Sequence, residues 1–282
     1  MEELIKIIAW LILVILFTII PGKLEISRQR YWVTPTVVYA LIVLNILIYL
    51  GMILVTLLGN LSFYEAVVQL WGCRPYDIVH PLSADGILEL IRRYATLVTY
   101  QFLHGGFFHL LGNMTFLYIF GPGVEMGQNI RFAGRDRRPL NSYFPFIVFY
   151  LLSGIGSALC HIGFFGFGDQ MISQSVLVGA SGAISGILAA SLLGLWKDYK
   201  KITVYVLYYF QFRISVNFYV LYWILLQLAL FIATGNKSAV SYAGHIGGFI
   251  TGLLLWTFVC PWVGIIVSTR PRGWFRKYRT TG

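Results

Sequence analysis

The chain has 282 residues, 58% of them hydrophobic, 17% aromatic and only 11% charged, where soluble domains carry about a quarter charged residues. Its mean hydropathy of +0.75 excludes an ordinary soluble domain and marks a polytopic, all-α membrane protein. The formal charge of +10 does not point to nucleic acid, because no basic patch is interleaved with stacking aromatics on a soluble face.

Seven apolar runs follow in chain order: Ile5–Ile20, Val37–Leu58, Phe107–Val124, Phe144–Phe165, Val176–Trp196, Val216–Thr234 and Val240–Val259. Most approach the length of about 20 residues that crosses a bilayer as a helix. The first resembles a signal peptide in length. Glu2 and Glu3 stand where a basic segment would be, and no small-residue cleavage site precedes Pro21-Gly22-Lys23, so it reads as a retained helix.

Charge alternates between the connections. Lys23, Arg28 and Arg30 follow the first run, Arg131, Arg135, Arg137 and Arg138 the third, Lys197, Lys200, Lys201 and Arg213 the fifth, and Arg270, Arg272, Arg276, Lys277 and Arg279 fill the tail. The other connections carry little net positive charge. The positive-inside rule therefore predicts an outside N-terminus and a cytoplasmic C-terminus, in a plasma (cell inner) membrane. The predicted divisions are 1–34, an extra transmembrane helix with a basic linker; 35–263, the helical membrane domain; and 264–282, a basic tail. The aromatic-rich connection from Gly59 to Gly106 suits the headgroup region. Ile202–Phe212, β-branched and aromatic, fits either an interfacial loop or an early start of the sixth helix. Cys73, Cys160 and Cys260 have no paired spacing, so neither a disulfide framework nor a zinc site is read, and no metal or cofactor is expected.

Polar residues inside such runs are costly unless they are put to use. In the predicted orientation the third, fifth and seventh runs enter from the outer face. Ser181 lies five residues past Val176 and His245 five past Val240, each about 8 Å down at 1.5 Å per residue. His109 and Asn113 lie two and six residues past Phe107. Four polar groups on three helices thus share one depth.

A serine hydroxyl becomes a nucleophile when a neutral imidazole takes its proton. Asn113, a His109 ring N–H and the Ser181 backbone N–H supply donors for the resulting oxyanion. Gly179 and Gly182 bracket the serine, so Ser181 is expected to cap its helix after an irregular entry from Val176 to Ala180, at the edge of a water-filled cavity. Gly182 and Gly186, and Gly244, Gly248 and Gly252, repeat at intervals of four and let two helices pack closely.

Each feature also has a plainer reading. A Gly-Ala-Ser-Gly segment is common helix-packing material. A lone intramembrane histidine can be a structural hydrogen-bonder or a proton relay. His104 reads best as tying a loop to its helix, and Glu125 as a cap or an anchor for Arg131. His80 and His161 carry no readable signal.

Together these residues resemble the rhomboid family of intramembrane serine proteases. His104-Gly105-Gly106-Phe107-Phe108-His109-Leu110-Leu111-Gly112-Asn113 is similar to the family's HxxxxHxxxN signature, Gly179-Ala180-Ser181-Gly182-Ala183 to its nucleophile motif, and His245-Ile246-Gly247-Gly248 with Gly252 to its histidine helix. The resemblance runs from about Leu97 to Trp256. It implies a six-helix core around a cavity open to the outside, here with one extra N-terminal helix. It also implies a Ser181–His245 dyad without an acidic third member, and an oxyanion hole from His109, Asn113 and Ser181. Substrates would be transmembrane segments of other proteins in the lipid bilayer.

The chain departs from the pattern at three places. Thr96 stands where an arginine often anchors the long connection. Ser185 stands where some members stack a tyrosine on the histidine, so His245 must be oriented otherwise. Gly244 replaces the more usual alanine. Two rival readings remain: a rhomboid-like, non-catalytic chaperone or trafficking factor, whose kind typically lacks the serine or the histidine, and a transporter, for which no paired intramembrane acids are present.

Overall fold

In a computed structural model, residues 20–26, 35–133, 143–165, 175–194, 199–206, 209–234, 238 and 240–259 are described. The first predicted helix (all but its last residue), the basic connection 134–142, Cys260 and the basic tail lie outside them. The described chain is mostly helical. Strand β1 (Ile20–Ile26) precedes α1 (Thr36–Leu57), and the long connection contains α2 (Phe63–Trp71), α3 (Pro75–Val79) and α4 (Ile87–Thr99). Then come α5 (Phe107–Ala133), α6 (Tyr143–Phe165), α7 (Ser181–Gly194), β2 (Tyr199–Val206), β3 (Phe210–Ser215), α8 (Val216–Thr234) and α9 (Tyr242–Leu254), which runs on into a π-helical turn, Leu255–Val259.

Among the described residues four helices are long and apolar enough to cross a membrane: α1, α8, and the Phe107–Glu125 and Phe144–Phe165 parts of α5 and α6. Helix α7 is shorter than its apolar run because the first five residues of that run are not helical. It is also the centre of the bundle. Residues 182–191 are all buried, with α5, α6, α8 and α9 packed around them. A helix apolar on every side has this place available to it and few others in a folded bundle.

Two features hold the flanks of the bundle. Glu125, fully buried on α5, reaches the start of α1 and accepts the N–H groups of Val37 (3.1 Å) and Val38 (2.9 Å). It caps a neighbouring helix whose own first residues supply no side-chain cap. A carboxylate there satisfies orphan donors and meets the positive end of the helix dipole. The cap reading is therefore correct for Glu125, with α1 as its beneficiary.

The second feature is a three-stranded antiparallel sheet in the order β1-β2-β3. Residues 202–206 and 210–212 are strand, neither of the two forms expected for Ile202–Phe212. Alternating β-branched and aromatic residues are what a hairpin requires, and helical periodicity is missing from the segment. Ile20, the last residue of the first apolar run, opens β1. Pro21 is tolerated there because β1 is an edge strand. The sheet packs on α5 and α8 and buries Ile202 and Val204 in the main core.

The long connection is anchored without an arginine at position 96. Arg92 donates to both carboxylate oxygens of Glu89 (2.7 and 2.6 Å) and to the Leu70 carbonyl. Arg93 donates to Glu89 (2.9 Å), to Ser83 Oγ (2.8 Å) and to the Ser83 carbonyl (3.1 Å). Thr99 ties the end of α4 to the Trp71 carbonyl at 2.6 Å. Tyr100 donates to the Gly154 carbonyl of α6 at 2.7 Å, which seats the connection on the bundle. Exposed Leu82, Ile87, Leu88 and Ile91 leave it an apolar face of the kind interfacial segments present.

Hydrogen bonds from Arg92 and Arg93 pull the Glu89 carboxyl down to about 2. A lowered folded-state pKa means that this contribution is complete above the ordinary carboxylate range and fades as pH falls from there toward 2. Hydrogen-exchange protection factors across residues 59–106, taken against the intrinsic rate at each pH, are expected to fall over that interval, and Glu89→Gln is expected to remove most of this pH dependence.

Candidate active site

Ser181 is presented by an unwound segment stitched to the long connection. Cys73 and Leu177 exchange backbone hydrogen bonds (3.0 and 2.8 Å), and the Gly179 N–H donates to the Tyr100 carbonyl at 2.9 Å. Gly179 has φ +120°, a left-handed backbone that favours glycine. The Ile184 N–H bonds the Ala180 carbonyl at 3.0 Å. Ala180 is therefore the N-cap and Ser181 the first helical residue, so the helix begins one place earlier than the expectation that Ser181 itself caps. The consequence for the anion site is unchanged, since N–H groups in the first turn have no intrahelical acceptor.

Ser181 Oγ lies 2.9 Å from His245 Nε2. The glycine faces make this distance attainable. A Cβ on Gly248 would collide with the Gly182 carbonyl, and one on Gly252 with the backbone of Gly186. Helices α7 and α9 thus touch backbone to backbone at two successive turns. Gly244 is close instead to Ser241 and Ser157, so of the Gly244, Gly248 and Gly252 repeat the last two form the contact with α7.

His109 and Asn113 flank the same point. The Gly105 N–H donates to His109 Nδ1 at 3.3 Å, which leaves the proton of a neutral ring on Nε2. A Cβ on Gly179 would lie 2.8 Å from that Nε2 and 3.5 Å from Asn113 Nδ2. Asn113 is buried and its amide nitrogen has no hydrogen-bond partner. A buried donor without an acceptor carries a free-energy penalty unless something arrives to accept from it. His109, Asn113, Ser181, His245, Trp223 and Ser241 all line one cavity of about 670 Å³.

Other predicted residues fall into place around this group. The His104 ring is buried and stands edge-on to His109 with centroids 5.3 Å apart. Its carbonyl accepts from Tyr64 of α2. Ser185 turns its hydroxyl back to the Ser181 carbonyl at 2.7 Å and leaves His245 alone.

Four residues with a place at or beside the site were not singled out from the sequence. Gln227 of α8, buried, puts Oε1 2.8 Å from His245 Nδ1. Trp223, one turn earlier on the same face, holds its ring 5.8 Å from the imidazole, inclined by 37°. His161 lies 2.7 Å from the hydroxyl of Ser241, which also accepts the Gly244 N–H and so caps the histidine helix. A glutamine inside a membrane-length apolar run was the available signal for the first of these.

A family model described as the Rhomboid domain matches residues 92–262, more than half of the chain. Among curated proteins, "Rhomboid protease AarA" of Providencia stuartii is 30% identical over 224 residues, 76% of this chain and 69% of that protein. "RHOMBOID-like protein 6, mitochondrial" of Arabidopsis thaliana is 30% identical over 188 residues, 66% of this chain and 47% of that protein. "RHOMBOID-like protein 4" of the same plant is 28% identical over 188 residues, 66% of this chain and 37% of that protein. The chain thus spans less than half the length of these plant relatives.

The two-turn backbone contact yields a stability test. Gly248→Ala is expected to cost about 1–3 kcal/mol, as overpacking does, read as a lowered melting temperature in detergent. Gly51→Ala, where a Cβ would meet nothing within 4 Å, is expected to leave the melting temperature unchanged or slightly raised.

Proposed function

We propose that this chain, which belongs to the rhomboid family, is an intramembrane serine protease that hydrolyses peptide bonds in or near transmembrane segments of other membrane proteins. The observation that carries this reading is the 2.9 Å approach of Ser181 Oγ to His245 Nε2 at a cavity. His245 accepts the serine proton as Oγ attacks the scissile carbonyl, then returns it to the departing amine. The oxyanion is held by the Ser181 N–H, the Asn113 amide and His109 Nε2–H, donors already gathered around Gly179 and needing no rearrangement as charge develops. Water for the second, hydrolytic step enters through the cavity.

The remaining expectations belong to the same reading. We place the chain in a cell inner membrane with its N-terminus outside, a first helix within 1–34, the catalytic bundle in 35–263 and a cytoplasmic tail from 264. The sheet supports this arrangement. It joins the connection after the first apolar run to the one after the fifth, and positive-inside charge assigns both to the cytoplasmic side. Retention of both serine and histidine argues against a non-catalytic role. The dyad reading calls on no metal, since the imidazole itself takes the serine proton.

Ser181→Ala and His245→Ala are each expected to abolish cleavage of a model transmembrane substrate in detergent while keeping the wild-type melting profile. A fluorophosphonate is expected to modify wild-type protein at Ser181 alone. Asn113→Ala is expected to slow cleavage by about 10²–10³-fold, the usual loss for one oxyanion donor. Substantial cleavage by the serine or histidine variant would refute the dyad, and a neutral Asn113→Ala would remove that residue from the oxyanion site.

A further inference from the structure

We infer that Gln227 is the positioning residue of the dyad: its side-chain carbonyl holds the His245 ring in the tautomer and orientation that can take the serine proton. The inference rests on the Ser181–His245 reading and extends it to a third helix.

The argument starts from the imidazole. A neutral ring has one bare nitrogen and one N–H. To accept from Ser181 Oγ at 2.9 Å, Nε2 must be bare, which puts the proton on Nδ1. An N–H directed into a membrane bundle requires an acceptor. Gln227 Oε1, 2.8 Å away, is that acceptor. The proton order then runs one way through the three residues, from Ser181 Oγ–H to Nε2 and from Nδ1–H to Oε1.

A carboxamide can also present its NH2. With Gln227 reversed, Nδ1 would accept, Nε2 would carry the proton, and Ser181 would have no base. In a serine protease triad a similar change, from carboxylate to amide, lowers kcat by about 10⁴-fold through the wrong tautomer. Gln227 is therefore suited to fixing ring geometry, but as a neutral group it adds no ionic stabilisation to the imidazolium.

Helix α8 supplies the rest of the mount. Gln227 lies one turn after Trp223, so both side chains leave the same helix face. The indole stands 5.8 Å from the imidazole, while Tyr242, on the histidine's own helix, lies edge-on at 6.3 Å. With Ser185 bonded to its own helix, Ser181 is the residue of α7 that bonds the ring. The ring is set from α8. Gln227 is buried, and a polar amide in that position is costly unless it is bonded.

The test compares Gln227→Met, which keeps length but loses the acceptor, with Gln227→Glu, which keeps the acceptor and adds charge. Cleavage and fluorophosphonate labelling would be followed as functions of pH in detergent-solubilised, full-length protein. Gln227→Met is expected to lower kcat by about tenfold or more with KM within about twofold, the signature of a lost transition-state interaction. Gln227→Glu is expected to retain cleavage and to shift the acid limb of the pH profile upward by about one unit or more, because a carboxylate beside the ring favours the imidazolium.

A purely structural role for Gln227 would not move that limb. Wild-type kcat and an unshifted profile in both variants would overturn the inference, as would equal losses in both with the limb unmoved. If Gln227→Met does not fold, the acid limb of Gln227→Glu decides alone. Failure of the wild-type protein to be labelled at Ser181 would instead overturn the dyad, and this inference with it. A labelled wild type with indifferent Gln227 variants would remove Gln227 alone.

Discussion

Backbone contact between α7 and α9 is the constraint on which the site depends. Between helices inside a bilayer there is no water to expel, so close approach has to come from shape. Gly182 against Gly248 and Gly186 against Gly252 bring two backbones into direct contact over two turns. At the N-terminal end of both helices in that seam, Ser181 and His245 come within a hydrogen bond of each other. Larger residues along the seam would separate the helices and take the serine hydroxyl out of reach of the imidazole.

The same seam accounts for what happens above it. Helix α7 starts late, and the segment before it is unwound, so its backbone groups need partners. Cys73 and Tyr100 of the long connection provide them. That connection is in turn braced by the Glu89, Arg92 and Arg93 cluster and fastened to α6 through Tyr100. What looked in sequence like an anchoring residue lost at Thr96 is a relocated anchor, three and four residues earlier. The loop, the unwound segment and the first turn of α7 act as one mount for the serine, with His109 and Asn113 approaching from α5.

Much of this could be read from residue type and spacing. The apolar runs at 37–58, 144–165 and 216–234 became helices with ends close to those expected, and the run at 107–124 became a helix that continues nine residues further, to Ala133, because length and hydropathy specify the membrane helix but not where it stops beyond the apolar stretch. The four polar groups at one depth became one cavity lining, since helices of known direction fix depth to within a turn. The sheet was not legible. The strand Ile20–Ile26 is joined in sequence to an apolar run, and its partner lies some 180 residues away, so neither half shows by itself what it pairs with. Gln227 was legible only as a polar residue in an apolar run, as a single amide in such a helix does not reveal which neighbour it faces.

Sequence by itself determined that the chain crosses a membrane, which family it belongs to, and that Ser181, His245, His109 and Asn113 lie at a common level. These follow from composition, period and motif, all of which are local or one-dimensional. Tertiary structure decided which nitrogen of His245 meets the serine, what occupies the other, that Glu125 caps α1, and that β1 pairs with β2. Each of these depends on how helices and strands are rotated about their axes and brought together, which follows from packing across the whole bundle and is written in no single segment.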